Sequence, residues 1–232
     1  MTKLVRPSPS MAVFYYHEHA PEISGSAAQN AVDLVSMSEE RRKNGCMRVL
    51  GVDPAAAGAT GYGVVESDGR RSITLHYGAL RVAARRQKQS AGAVLQDIHS
   101  LLCNLIQEFS PDVLAVESVF TALNMRTALR LAEVRGVVLL AAEQHGLAVH
   151  SYSPREVKAS VAGYGNADKM QMQLMVRALL AMNETPEPSD AADALAVALC
   201  HLQAAQARWR FGLPEAKVLA KPRIARPSAG IV

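Results

Sequence analysis

The chain has 232 residues, 49% apolar and 20% charged, which suits one domain with a buried core and flanking segments. No apolar run approaches the roughly 18 residues of a membrane span, and no apolar stretch follows Lys3 and Arg6 as a secretion signal requires, so a soluble, cytoplasmic protein is expected. The net charge of +4 is concentrated in residues 207–232, where Arg208, Arg210, Lys217, Lys221, Arg223 and Arg226 accompany one acid, Glu215.

Residues 1–46 lack sustained periodicity and are expected to form a disordered extension, with the folded domain starting at Met47. A first strand over 48–53 ends in Asp53. A Gly-containing turn leads to a second strand over 62–66, and the Asp68-Gly69 turn pair leads to a third over 72–80. Val94, Leu95, Ile98, Leu101, Leu102, Leu105, Ile106 and Phe109 recur at helical spacing, so 92–109 reads as an amphipathic helix, stopped at Ser110-Pro111-Asp112. The apolar run Val113–Glu117 is a fourth strand ending in an acid. A long helix over 122–145 ends near Gly146, and a fifth strand covers 147–152. Pro154 suits the first turn of a helix over 154–162, broken at Gly163-Tyr164-Gly165. Further helices follow at 168–182 and 190–207. This order predicts an α/β domain over 47–206, a three-stranded antiparallel meander joined to parallel strands in a mixed five-stranded sheet flanked by helices. Residues 207–232 form a basic tail suited to contact phosphates.

Cys46, Cys103 and Cys200 are odd in number and share no short spacing, which fits neither a disulfide framework nor a zinc site; Cys103 and Cys200 read as core residues. His99, His145, His150 and His201 show no paired metal-ligand spacing and read as structural or surface residues.

The acids carry more information. Asp53 and Glu117 each end an apolar strand, where a carboxylate is costly unless compensated. Ligand crevices in open α/β sheets lie beyond the carboxyl ends of the strands. Asp190 and Asp193 stand three residues apart at the start of the last helix and share a face. Capping of that helix by Ser189 or Asp190 is the simpler alternative for those positions. Four converging carboxylates cannot all stay ionised without cations. Their hard oxygens select magnesium, with manganese as a substitute, and two ions about 4 Å apart would clamp a phosphodiester displacement.

At these residues the chain resembles the RuvC family of Holliday-junction resolvases. The resemblance covers about 47–205. It rests on Gly51-Val52-Asp53-Pro54, Thr60-Gly61-Tyr62-Gly63, Ala115 to Phe120, Ala128-Leu129-Arg130-Leu131 leading to Arg135-Gly136, Val157-Lys158, Gly163 to Lys169 and Asp190 to Ala194, in that order. It implies a ribonuclease-H-like fold, a homodimer acting on four-way junction DNA, paired nicking of opposed strands in recombination and repair, and the branch-migration proteins RuvA and RuvB as partners. The family's catalytic and metal-binding acids map onto Asp53, Glu117, Asp190 and Asp193, with two magnesium ions per site. Asp53 would bridge both ions, Glu117 and Asp193 would complete their shells, and Asp190 would act as a weaker ligand or base. The family's basic cleft residues map onto Lys158 and Lys169, and its base-contacting aromatic onto Phe120. Arg126, Arg130 and Arg135 recur along the long helix, where they suit either phosphate contacts or a solvated helix face, and Tyr164 in its Gly-flanked loop is a further DNA-contact candidate.

The first loop departs from the family pattern. The family usually reads Asp-Pro-Gly, three residues, Thr-Gly; here Ala55 takes the Gly place and the loop, through Gly58 to Thr60, is one residue longer and lacks a basic side chain. Two rival readings follow from the same residues. One is a catalytically silent junction-binding protein, which need not take up two ions. The other is an actin-like nucleotide-binding ATPase or sugar kinase, which requires a second Gly-rich phosphate hairpin and a longer chain than this one.

Overall fold

The computed structural model describes residues 45–55, 59–81, 90–118 and 124–213. Five strands form one sheet: β1 (Met47–Asp53), β2 (Ala59–Ser67), β3 (Ser72–Arg81), β4 (Val113–Glu117) and β5 (Ala148–Tyr152), in the spatial order β3-β2-β1-β4-β5. β1, β2 and β3 pair antiparallel, while β1 with β4 and β4 with β5 run parallel. The meander turns where expected. Asp68 Oδ1 accepts from the backbone N–H groups of Arg70 and Arg71 at 2.8 and 2.7 Å, and Gly69 takes the positive φ the turn needs.

Period-two alternation sends each strand's side chains to two cores. Leu50, Val52, Tyr62, Val64, Leu114 and Val116 face α1 (Ala91–Phe109) and α2 (Met125–Gln144). Each of these helices is capped from its own sequence. Ser90 accepts from the Ala93 N–H ahead of α1, and Asn124 accepts from the Thr127 N–H ahead of α2. Val49, Val65 and Ala115 face the other way, toward α3 (Pro154–Ala162), α4 (Lys169–Leu179) and α5 (Ser189–Phe211). α3 and α4 open with capping boxes, Ser153 with Glu156 and Asp168 with Gln171.

α5 differs from expectation at both ends. Its N-cap is Pro188, with no side-chain capping bond, so neither Ser189 nor Asp190 serves as the cap. Its C-terminus is Phe211, four residues past the expected end, so residues 207–211 are helical rather than part of a flexible tail. From Ala191 to Leu202 nearly every side chain is buried, because small alanines let this helix sink against the sheet. Residues 1–44 and 214–232, most of the two expected flanking segments, lie outside the described residues, as does Gly58 in the first loop. Ala55 is described, and among the described non-glycine residues only Ser110 and Ala181 have positive φ. The Ala in the place of the family's Gly therefore needs no left-handed backbone.

Candidate active site

Asp53 ends β1 in the alternation series of Val49 and Gly51, and Glu117 ends β4 in the series of Ala115. Both are therefore on the sheet face that α5 covers. β1 and β4 are parallel neighbours with Val52 beside Val116, so their next residues emerge side by side at one sheet edge.

The start of α5 is brought onto that edge by glycine. A Cβ on Gly61 would stand 1.9 Å from the carbonyl oxygen of Asp190, and a Cβ on Gly51 2.2 Å from that of Ala194. Only residues without a side chain permit the contact, and it lowers Asp190 and Asp193 toward the strand tips. In the sequence these glycines were letters of a family motif; a glycine interrupting a strand pattern was the available signal of close backbone approach.

The electrostatics record the convergence. The Asp53 carboxyl is pushed up to about 8, first by burial and then by the charges of Glu117, Asp193 and, more weakly, Asp190. Asp53 and Glu117 are close enough for their carboxyls to act on each other directly, so the two acids form one coupled pair. Burial also raises Glu117, with Asp193 adding to the rise and Lys158 opposing it. Asp193 is raised by burial as well, and Lys169 is the strongest opposing group. The Lys169 ammonium lies 3.2 Å from Asp193 Oδ2 in a half-exposed ion pair.

Six of the nine candidate residues thus share one place: Asp53, Glu117, Asp190, Asp193, Lys158 and Lys169. Tyr164 is half exposed, and its hydroxyl donates to Gln171 of the α4 capping box, on the loop that leads to Lys169. Arg126 is exposed in the first turn of α2, with no ion-pair partner among the described residues. Phe120 lies outside the described residues. Arg135, expected to track phosphates or to lie on a solvated helix face, is instead turned inward. Its Nη1 donates to the Glu117 carbonyl at 3.3 Å and its Nη2 to Ser151 Oγ at 3.0 Å.

Among the described residues, no three His, Cys, Asp or Glu side chains stand closely enough to hold a metal ion as placed. Asp53 and Glu117 are turned to each other, and the Lys169 ammonium holds Asp193. The donor set nevertheless fits a hard divalent cation: the acids are all oxygen donors, and a carboxyl as unfavourable to ionise as Asp53 needs a cation beside it to carry charge near neutral pH.

A family model described as crossover junction endodeoxyribonuclease RuvC matches residues 49–201. The chain is similar to the crossover junction endodeoxyribonuclease RuvC of Caldicellulosiruptor saccharolyticus, 43% identical over 157 residues that cover 67% of this chain and 92% of the relative. It is likewise similar to that of Natranaerobius thermophilus, 44% identical over 165 residues covering 71% of this chain and the whole relative. Among solved structures, RuvC of T. thermophilus in complex with Holliday junction substrate matches with a TM-score of 0.65 and 34% identity, over 69% of this chain and 96% of that one.

Proposed function

The chain belongs to the RuvC family of crossover junction endodeoxyribonucleases, and on that premise we propose how it works: it resolves Holliday junctions as a homodimer, each copy hydrolysing one of two opposed strands in a magnesium-dependent reaction. The observation that carries the reading is the meeting of Asp53, Glu117, Asp190 and Asp193 at one sheet edge, with Asp53 pushed up to about 8. All four acids are present, which favours a working nuclease over a silent junction binder.

Asp53, Glu117, Asp193 and, more weakly, Asp190 would hold two magnesium ions. When bound, such ions supply a hydrolytic nucleophile at neutral pH and neutralise charge on the transferring phosphoryl group. The chain's own residues prepare the site. Asp53 and Glu117 would face the ions as carboxylates, and Asp193, paired with Lys169 at 3.2 Å, would turn to them in place of that ammonium. Lys169 and Lys158, beside the acids, would hold phosphate oxygens and offset developing negative charge. Phe120, on the segment after Glu117, is assigned the contact with bases at the junction centre. Arg126 and Tyr164 are assigned outer DNA contacts.

The homodimer has support on α2. Met125, Leu129 and Leu140 are 75%, 59% and 51% exposed, and with Ala132 and Gly136 they form one apolar stripe. No helix among the described residues is long and apolar enough to cross a membrane. A cytoplasmic setting, with RuvA and RuvB as partners and the basic residues 208–226 as a phosphate-binding arm, completes the proposal.

The test compares a mobile four-way junction with linear duplex, in magnesium and in chelator. The wild-type chain is expected to cut the junction only with magnesium, in paired nicks, and to spare the duplex. Asp53→Asn is expected to bind the junction with unchanged affinity and to leave it uncut. Cleavage by that variant would refute the assignment of the site.

A further inference from the structure

We infer that Arg135 is a positioning residue of the nuclease site: from the opposite face of the sheet it clamps the tips of β4 and β5, and it sets the backbone from which Glu117 projects. This rests on the reading of Glu117 as an active-site acid.

Arg135 follows Val134 on α2, at the border of the buried stripe Val134, Val138, Ala141 and Ala142. That stripe packs under the face carrying Leu114 and Val116. The acids stand on the other face. The Arg135 side chain therefore reaches the sheet's edge from behind and meets backbone, not carboxylate. One guanidinium nitrogen donates to the Glu117 carbonyl, the other to the hydroxyl of Ser151, whose register partner is Val116. The next link is supplied by Ser118, whose N–H and hydroxyl both donate to the Tyr152 carbonyl. The arginine fork thus spans the last two ladder pairs of β4 and β5, and Ser118 ties the strands together one residue beyond them.

Electrostatics separate this role from a direct one. Arg135 has no ion-pair partner among the described residues, and its own value is lowered by burial alone. The cation that acts on the Glu117 carboxyl is Lys158, not Arg135. A half-buried guanidinium costs desolvation, and here it is spent on two neutral acceptors at the strand ends. The arginine fork suits this task because its donors are fixed in one plane and can hold two acceptors at once, whereas a lysine ammonium is a single flexible point donor. Groups that orient ligating residues in this way change metal affinity or activity by roughly 10–100-fold when removed.

The test uses the full chain, with Arg135→Met, Arg135→Lys and Ser151→Ala beside wild type and Asp53→Asn. Junction cleavage is measured at saturating and limiting substrate, and magnesium binding to the DNA-free protein by calorimetry. Arg135→Met is expected to lower kcat and magnesium affinity by about 10-fold or more, with junction affinity within about two-fold of wild type. Arg135→Lys, keeping one of the two bonds, is expected to fall between. Ser151→Ala removes one anchor and covers the case in which Arg135→Met does not fold; a smaller loss in the same two quantities is expected. Unchanged kcat and magnesium affinity in the folded variants overturn the clamp. A raised KM at unchanged kcat also overturns it, since that marks a phosphate contact. If wild type cleaves no better than Asp53→Asn, the active-site reading itself falls; if wild type cleaves and Arg135→Met matches it, the clamp alone falls.

Discussion

Asp53 is held in a position where its ionised form is disfavoured, by burial and by three neighbouring acids. The proposed function uses that arrangement, at a cost in stability. Replacing Asp53 by the isosteric, uncharged Asn should stabilise the chelator-treated protein by roughly 0.5–2 kcal/mol, read as a rise in Tm, and should abolish most of the further rise that magnesium gives wild type. Equal or lower Tm in chelator would show that the acids do not strain the fold. His201 gives the pH dependence. It is 3% exposed, its Nδ1 is bonded to the Tyr152 hydroxyl at 2.8 Å, and burial, then His150 and Arg208, push it down to about 3 from an ordinary value of 6.5. The folded state therefore refuses a proton that the unfolded chain accepts below 6.5. The resulting stability is complete above that pH and is lost progressively as pH falls toward 3. Urea midpoints of His201→Gln between pH 7 and 4 should show a shallower acid limb, by up to about 1.4 kcal/mol per pH unit; an unchanged limb refutes the assignment. At this scale the acids were legible, because a carboxylate ending an apolar strand conflicts with burial and so signals itself. Arg135 was misread because helical spacing says which residues border a buried stripe but not that one of them bends around a sheet edge.

The elements followed from period and punctuation. β4 and α3 occupy the predicted spans because Pro111-Asp112 bounds one and Ser153-Pro154 and Gly163 bound the other. The end of α5 was less legible, since Ala- and Arg-rich sequence around 207 carries no stop until Gly212, which caps the helix with positive φ. The depth at which α5 sits was not legible either, because it depends on what faces each glycine across the sheet. That depth makes a prediction. Gly61→Ala puts a methyl into the Asp190 carbonyl and should push the start of α5 away from β2, lowering stability by about 1–3 kcal/mol in urea titration. Cleavage should fall further than stability, since Asp190 and Asp193 move with the helix. Gly69→Ala, where a Cβ meets nothing within 4 Å, is strained only by its positive φ and should leave kcat intact. If Gly61→Ala cleaves as well as Gly69→Ala, close packing of α5 does not set the site.

For the whole molecule, one chain supplies one acid cluster, whereas resolution of a four-way junction requires two coordinated cuts. In the proposed homodimer the second site comes from a second copy, and α2 offers the surface. Its outer stripe, Met125, Leu129, Ala132, Gly136 and Leu140, recurs every three or four residues along 16 residues of helix, and a Cβ on Gly136 would meet nothing within 4 Å. Single exposed apolar residues need no explanation, but an aligned row of them does. In a two-fold pair the same row meets itself, and the small residues at its middle let the helices approach. The stripe lies away from the acids, so charging it should separate the copies without touching the chemistry. Leu129→Glu with Leu140→Glu should sediment as a folded monomer at micromolar concentration where wild type sediments as a dimer. Its far-ultraviolet spectrum and magnesium titration should match wild type, and any residual cleavage should appear as single, uncoupled nicks. A double variant that stays dimeric removes α2 as the interface, and a monomer that still cuts both strands together removes the need for two copies.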